Sequence, residues 1–196
     1  GMSKALMEKT ISAKSKIIRK NLSFCITRYG NVIGSRGSVV PTFIEQIKKD
    51  KKLTITDPKM TRFMMTLDDA VKLVFYAFEK GNNGDIFIKK SPASDILNIA
   101  KAVSNKFKRR LRYEIIGTRL GEKIHETLLS SEEMAKSKDL GSFYKINPLT
   151  DQAKFNDYFY KGNKLKNITD YSSNNTQILN LNQTIKILEK SEVYKN

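Results

Sequence analysis

The chain has 196 residues, enough for one ordinary domain with a small appended lobe, and 39% hydrophobic with 29% charged residues exclude a disordered polymer. Its 36 Lys and Arg against 20 Asp and Glu give a formal charge of +16, which raises nucleic acid or an acidic membrane surface as partners. No apolar run approaches the roughly 20 residues needed to cross a bilayer and no charged-then-apolar leader opens the chain, so a cytoplasmic protein without a membrane partner is expected. Lysine is spread through nearly every segment beside many Asn and Ile, and no RNP, helix-turn-helix or zinc-finger pattern accompanies it, so nucleic acid is not the expected partner. The single Cys25 can form no internal disulfide and reads as core. His125 has no second His or Cys nearby, so no metal site is expected.

Residues 2 to about 20 place Leu6, Met7, Ile11, Ile17 and Ile18 on one stripe, the pattern of an amphipathic helix packing its apolar face on a sheet. The run Phe24-Cys25-Ile26-Thr27 then reads as a buried strand, so residues 28 to 43 form the loop leaving its carboxyl end, where open α/β sheets bind ligands. Gly30, Gly34 and Gly37 let the backbone approach a ligand, while Arg28, Asn31, Ser35, Arg36 and Ser38 supply donors. Such a loop suits an anionic ligand rich in hydrogen-bonding groups. A helix is expected after Pro41 through Phe43, Ile44 and Ile47, followed by a strand at Leu53-Thr54-Ile55-Thr56 and a turn at Asp57-Pro58.

Thr66-Leu67-Asp68-Asp69 has the form of a capping box, and Ala70, Leu73, Val74, Ala77 and Phe78 continue at helical spacing until Gly81. Asp85 to Ile88 reads as a strand, Ile96 to Phe107 as an amphipathic helix and Tyr113 to Ile116 as a further strand. The basic run Lys106, Lys108, Arg109, Arg110 and Arg112 resembles an anion patch, although a solvated face complementing the helix C-terminus is the plainer reading. From about Gly141 the pattern weakens, with Phe143, Tyr144, Phe155, Tyr158, Phe159 and Tyr160 among Asn, Lys and Asp. Ile185, Ile187, Leu188 and Val193 suggest a closing helix.

Four segments carry a resemblance. Arg28-Tyr29-Gly30-Asn31-Val32 with Gly34-Ser35-Arg36-Gly37-Ser38-Val39 and Pro41 is the first. Thr56-Asp57-Pro58-Lys59-Met60-Thr61-Arg62-Phe63, Gly117-Thr118-Arg119-Leu120-Gly121-Glu122-Lys123-Ile124-His125-Glu126 and Asp170-Tyr171-Ser172-Ser173-Asn174-Asn175-Thr176 follow in order. Together they resemble the nucleotide-sugar-modifying extended short-chain dehydrogenase/reductases, the NAD-dependent epimerase/dehydratase superfamily. The likeness is to the UDP-N-acetylglucosamine 4,6-dehydratase branch used for capsule, flagellin-glycan and other surface polysaccharides. Leu120 departs from the pattern, since most relatives have Pro there.

The resemblance implies an α/β fold: a partial doubly wound, Rossmann-like sheet lacking its N-terminal half, plus a small mixed α/β substrate-binding lobe. Residues 1–80 would be the C-terminal part of the dinucleotide-binding domain with its UDP-sugar loop, and residues 81–196 the lobe and tail. The glycine-rich loop that holds the pyrophosphate of NAD or NADP is not found, because Gly30, Gly34 and Gly37 lack the Gly-x-Gly-x-x-Gly order. The register of Gly1-Met2-Ser3-Lys4-Ala5 puts the lysine of the family's Tyr-x-x-x-Lys pair at Lys4, as catalytic and cofactor-binding residue. By the same resemblance Val32, Ile33, Gly34, Ser35 and Arg36 touch the cofactor, and Asn31, Val39, Thr56, Pro58, Arg62, Arg119 and Glu122 touch the UDP-sugar.

The activity implied is NAD(P)-dependent 4,6-dehydration of UDP-N-acetylglucosamine, with this portion inactive alone, dependent on a partner N-terminal half and homo-oligomeric as the full enzyme. UDP-glucose 4-epimerase is the alternative, built on the same scaffold. A non-enzymatic, basic nucleic-acid-binding remnant is the rival from another class.

Overall fold

The computed structural model describes residues 2–17, 22–148 and 168–191. In chain order the first elements are α1 (Met2–Ile17), β1 (Ile26–Arg28), α2 (Val39–Lys48), β2 (Leu53–Ile55), β3 (Thr61–Phe63) and α3 (Leu67–Lys80). There follow β4 (Ile86–Lys89), β5 (Ala93–Asp95), α4 (Ile96–Lys106), β6 (Tyr113–Ile115) and β7 (Thr127–Leu129). The last are α5 (Ser131–Lys136), β8 (Ser137–Asp139), β9 (Phe143–Ile146), β10 (Tyr171–Ser172) and α6 (Leu181–Lys190). These make a mixed α/β fold whose largest sheet is partly parallel and Rossmann-like, with smaller two-stranded sheets beside it in the count. No described helix is long and apolar enough to cross a membrane.

The chain divides into two compact units that interleave along the sequence. The first comprises Gly1–Tyr29, Ala70–Lys90 and Leu128–Tyr171, and the second Gly30–Asp69, Ser91–Thr127 and Ser172–Asn196.

In the first unit four strands lie in the order β1-β4-β9-β8. β1 and β4 run parallel, pairing Ile26 with Ile86 and Arg28 with Ile88, while β9 is antiparallel to both β4 and β8. Leu73, Ala77 and Phe87 form the core, with Cys25, Tyr76 and Phe143 packed against it. Cys25 lies just before β1 and is half-buried. Burial, helped by the Asp85 carboxylate and opposed by Lys145, pushes its thiol pKa up. Asp85 is itself buried and pairs with Lys145 at 2.6 Å. Phe143 and Tyr144, in the stretch where periodicity fades, stand in β9. Phe143 stacks on Tyr76 with ring centroids 4.5 Å apart, a contact that sequence spacing does not encode.

The helix α1 reverses one expectation. Its apolar residues Leu6, Met7 and Ile17 are exposed, whereas Glu8, Ile11, Ser12 and Ser15 form the sheltered stripe at helical spacing. Hydrogen bonds explain the inversion: Arg28 donates to Glu8, and Asn83 Nδ2 donates to the Ser15 carbonyl at 2.6 Å. Polar anchors therefore set the helix face.

In the second unit, β2 pairs with β6 in parallel and β3 with β5 antiparallel. Helices α2, α4 and α6 pack on one apolar core built on Val40, Phe43, Leu53, Ile55, Ile99, Val103 and Leu188. Asp95 caps α4 by accepting from Asn98 N, and Asn180 with Gln183 forms a capping box on α6. The expected helix after Pro41 starts earlier, at Val39 with Ser38 as N-cap, because proline is tolerated within a first turn. Val193 and the aromatic residues Phe155, Tyr158, Phe159 and Tyr160 lie outside the described residues.

Candidate functional site

A cavity of about 290 Å³ lies within the second unit, around the N-terminal turn of α2. Of the residues predicted to touch a ligand, Asn31, Val32, Ile33, Val39, Thr56, Arg62, Arg119 and Glu122 line it. Pro58, Gly34, Ser35 and Arg36 are not in its lining. The donors thus come from three separated stretches, around residues 31, 62 and 119, and meet at one cavity.

Local bonding sets each side chain. Asn31 Oδ1 accepts from Phe63 N at 3.2 Å, which leaves its amide N–H₂ as the group available to a ligand. Gly30 precedes it because a Cβ there would stand 2.5 Å from Phe63 Cβ, inside any allowed contact. Arg62 is held by Nη1 donating to the carbonyls of Thr61 at 2.8 Å and Ile124 at 3.1 Å. Its Nη2 stands 3.7 Å from Glu122 Oε1 and its Nε 3.9 Å from Glu126 Oε1, and the side chain is only 14% exposed. Glu122 Oε2 accepts from Arg119 N at 3.2 Å, and the Thr56 hydroxyl is 3.4 Å from Glu122 Oε1. Arg119 is exposed at the rim.

The wall that supports Arg62 includes the segment after β10. Ser173, fully buried, bonds through its hydroxyl to the Thr61 hydroxyl at 2.6 Å and donates to the Thr61 carbonyl at 3.1 Å. Thr61 Oγ1 also meets His125 Nδ1 at 2.8 Å, and Glu126 N donates to Ser173 Oγ at 2.9 Å. The lone histidine is thereby a partner of a buried hydroxyl. This is how the fourth sequence motif ties the tail to β3.

Ser38, read from the sequence as one of the loop's donors, has a setting that the sequence does not show. It lines the cavity as the N-cap of α2, yet its side chain makes no capping bond, and its buried hydroxyl has no hydrogen-bond partner among the described residues. Buried hydroxyls are nearly always satisfied. A helix N-terminus offers free backbone N–H groups and a partial positive charge to an anion, and here the capping hydroxyl is left over as well. The signal available was Ser38 followed three residues later by Pro41, which reads as N-cap and first turn.

Lys4 belongs to the first unit and is exposed on α1. Ser15 of α1 meets Asn83, just before β4, while Glu8 meets Arg28 at the end of β1, so α1 runs antiparallel to these strands. Lys4 lies one turn before Glu8 on the same stripe, about 6 Å further along the axis. Val32 to Arg36 form a turn, with Ile33 N bonded to Met65 O at 2.8 Å, Ser35 N to Val32 O at 3.2 Å and Gly34 at φ 84°. Ser35 and Arg36 are exposed there. The exposed Ser35-Arg36 turn supplies donors whose chemistry fits phosphate oxygens.

A Rossmann-like sheet in one unit and, in the other, a cavity at a helix N-terminus lined by arginine, asparagine and carboxylate make this an α/β protein with a site suited to an anionic ligand. Comparison with known proteins narrows this. A family model described as "Polysaccharide biosynthesis protein" matches residues 1–148, and the chain belongs to that family. Among curated proteins, a UDP-glucose 4-epimerase of Rickettsia bellii is 52% identical over 190 residues, covering 96% of this chain and 56% of the relative. One of Rickettsia canadensis is 51% identical over the same length. The chain thus spans about half the length of the curated relatives it matches. Among solved structures, Pen from Bacillus thuringiensis superposes with a TM-score of 0.78 at 28% identity, covering 94% of this chain and 54% of that one. The dTDP-glucose 4,6-dehydratase DesIV of Streptomyces venezuelae shares the fold, with a TM-score of 0.60 at 16% identity over 84% of this chain and 53% of that one.

Proposed function

We propose that this chain is the UDP-sugar-holding portion of an NAD(P)-dependent enzyme that inverts C4 of a UDP-hexose for surface-polysaccharide synthesis. The observation that carries the reading is the cavity at the α2 N-terminus, where Asn31, Arg62, Arg119 and the unpartnered Ser38 hydroxyl converge. Epimerisation is preferred to dehydration because curated relatives at 50–52% identity bear the name UDP-glucose 4-epimerase. The 4,6-dehydratase reading on UDP-N-acetylglucosamine keeps one support of its own, the four ordered segments that resemble that branch.

In this reading the α2 N–H groups, Arg62 and Arg119 bind the diphosphate, and bidentate guanidinium geometry is what makes arginine suited to the task. Glu122 and Thr56 accept from and donate to the ribose hydroxyls, and the Asn31 amide donates to a sugar oxygen. When bound, the nicotinamide supplies reversible hydride removal at the sugar carbon that is to be inverted. Lys4 donates to the cofactor ribose and, as a cation, favours the ionised form of an acid placed near it. The rest of the dinucleotide site, and the acid that takes the C4 hydroxyl proton, belong to the part of its relatives' length that this chain does not span.

Two experiments test the reading. Titration of the chain with UDP and UMP should show tighter binding of UDP, and Arg62→Ala should weaken UDP more than UMP. Equal losses for both would defeat the diphosphate assignment. Supplied with the complementary half and NAD, the protein should convert UDP-glucose to its C4 epimer without deoxygenation, whereas a 4-keto-6-deoxy product from UDP-N-acetylglucosamine would move the assignment to the dehydratase.

A further inference from the structure

A second cavity, of about 330 Å³, lies at the opposite ends of the same two helices. Asp50 and Lys51 after α2, Ser104 in the last turn of α4, and Arg109, Arg110 and Arg112 beyond it line it. The plain reading of basic residues at helix C-termini is that they complement the dipole. Magnitudes decide against that as a full account. Two helix ends carry about half a negative charge each, and the only carboxylate in the lining, Asp50, adds one more. Lys51, Arg109, Arg110 and Arg112 bring four positive charges, so about two remain unneutralised.

Hydrogen bonds set part of the wall around the surplus. Arg112 Nη2 donates to Asp50 Oδ1 at 2.6 Å and to the Asp50 carbonyl at 3.1 Å, closing one wall. Arg109 N donates to Ser104 O at 3.0 Å, which sets the start of the Arg109–Arg110 pair. Both turns that carry the cations contain a non-glycine residue in the left-handed region, Asp50 and Lys108, each at φ 51°. Each follows a helix C-cap, and the bonds from Lys51 N to Gln46 O at 2.8 Å and from Arg109 N to Ser104 O close the two helix ends in the ordinary left-handed way. The volume equals that of roughly ten waters at about 30 Å³ each, more than one phosphate fills.

We propose that this cavity is a second anion site, distinct from the UDP-sugar cavity, which takes a diphosphate-class group through Arg109, Arg110 and Lys51. The chemistry is shared by a free pyrophosphate and by the diphosphate headgroup of a lipid. It does not depend on which sugar nucleotide the first cavity holds.

The test uses the full chain at about 0.15 M ionic strength, where unfocused surface attraction is largely screened. Pyrophosphate, vesicles of phosphatidylcholine carrying an isoprenyl diphosphate, and a short oligonucleotide are titrated against an R62A/R119A chain, which lacks the diphosphate-holding arginines of the first cavity, and against the same chain carrying R109A/R110A as well. Pyrophosphate should bind R62A/R119A, and the chain with R109A/R110A added should bind about tenfold or more weakly, the scale of lost charge-assisted hydrogen bonds. Binding that R62A/R119A abolishes, or that survives R109A/R110A in that background, overturns the site. Vesicle binding that pyrophosphate displaces and R109A/R110A abolishes supports the same site with a headgroup as its source. Preferential, Arg109-dependent capture of the oligonucleotide overturns the small-ligand assignment, and so does failure of both pyrophosphate and vesicles to bind. Melting of R109A/R110A within about 2 °C of the parent excludes misfolding as the cause of a loss, since both side chains are exposed.

Discussion

Arg28 and Glu133 face each other through two parallel hydrogen bonds, Nη1 to Oε2 at 2.8 Å and Nη2 to Oε1 at 2.9 Å. The same guanidinium donates Nε and Nη2 to Glu8 and Nη1 to the Leu128 carbonyl. Five donors are thus used at once, which ties α1, the end of β1 and α5 together within the first unit. Lysine cannot reproduce this planar fork. Arg28→Ala leaves two half-buried carboxylates unpaired and should cost about 2–4 kcal/mol in a denaturant titration, below the full value of a buried pair because the three side chains remain 20–35% exposed. Arg28→Lys should recover less than half of it.

The same pair sets a pH dependence. Burial pushes the Glu133 carboxyl pKa up, but the hydrogen bonds from Arg28 and Ser130 N outweigh that and hold it below the usual value. A carboxyl with a depressed folded pKa binds protons more weakly when folded than unfolded. Its stabilising contribution is therefore complete above the unfolded value of about 4.3 and is lost as pH falls through the folded one. Stability of the chain measured between pH 6 and about pH 3 should fall through this window, and Glu133→Gln should flatten part of the fall.

How far the sequence reaches is visible in particular residues. The capping box Thr66–Asp69 was legible and is made reciprocally, with Asp69 N donating to Thr66 Oγ1 at 3.2 Å and Thr66 N donating to Asp69 Oδ2 at 3.4 Å. Local spacing encodes it completely. Strand β3 was not legible, because Thr61–Phe63 is only three residues long and is held by pairing with Ala93–Asp95, more than thirty positions away. The sheltered face of α1 was misread for a related reason: its anchor, Arg28, lies outside the helix, so periodicity pointed to the apolar stripe instead. At the site, Asn31, Arg62 and Arg119 stood out as polar residues inside ordered motifs, and the structure brings them to one cavity. Ser38 was legible as a loop donor but not as an unspent one, since a serine at an N-cap ordinarily bonds its own helix and only coordinates show that this one does not.

Gly30 supplies a test of the link between β3 and the cavity loop. A Cβ at this position would stand 2.5 Å from Phe63 Cβ and 2.8 Å from Phe63 Cγ, and a β-carbon cannot swing aside. Gly30→Ala must shift backbone, costing about 1–3 kcal/mol by overpacking. It should also stretch the Asn31 Oδ1 to Phe63 N bond and weaken UDP. A variant that melts like the parent and binds UDP unchanged would show that the loop yields without disturbing Asn31.

Ser38→Ala separates stability from binding. Replacing an N-cap serine by alanine normally costs about 1 kcal/mol, because a bond to the helix is lost. Here no such bond exists and the hydroxyl is buried without a partner, so the substitution removes a desolvation penalty instead. The free chain should hold its stability or gain up to about 1 kcal/mol. Binding should move the other way, since a hydroxyl that can donate to a phosphate oxygen is gone, and UDP should bind several-fold more weakly by calorimetry. A loss of stability of ordinary N-cap size would mean that the hydroxyl caps α2 in solution, and unchanged UDP affinity would remove Ser38 from the ligand contacts.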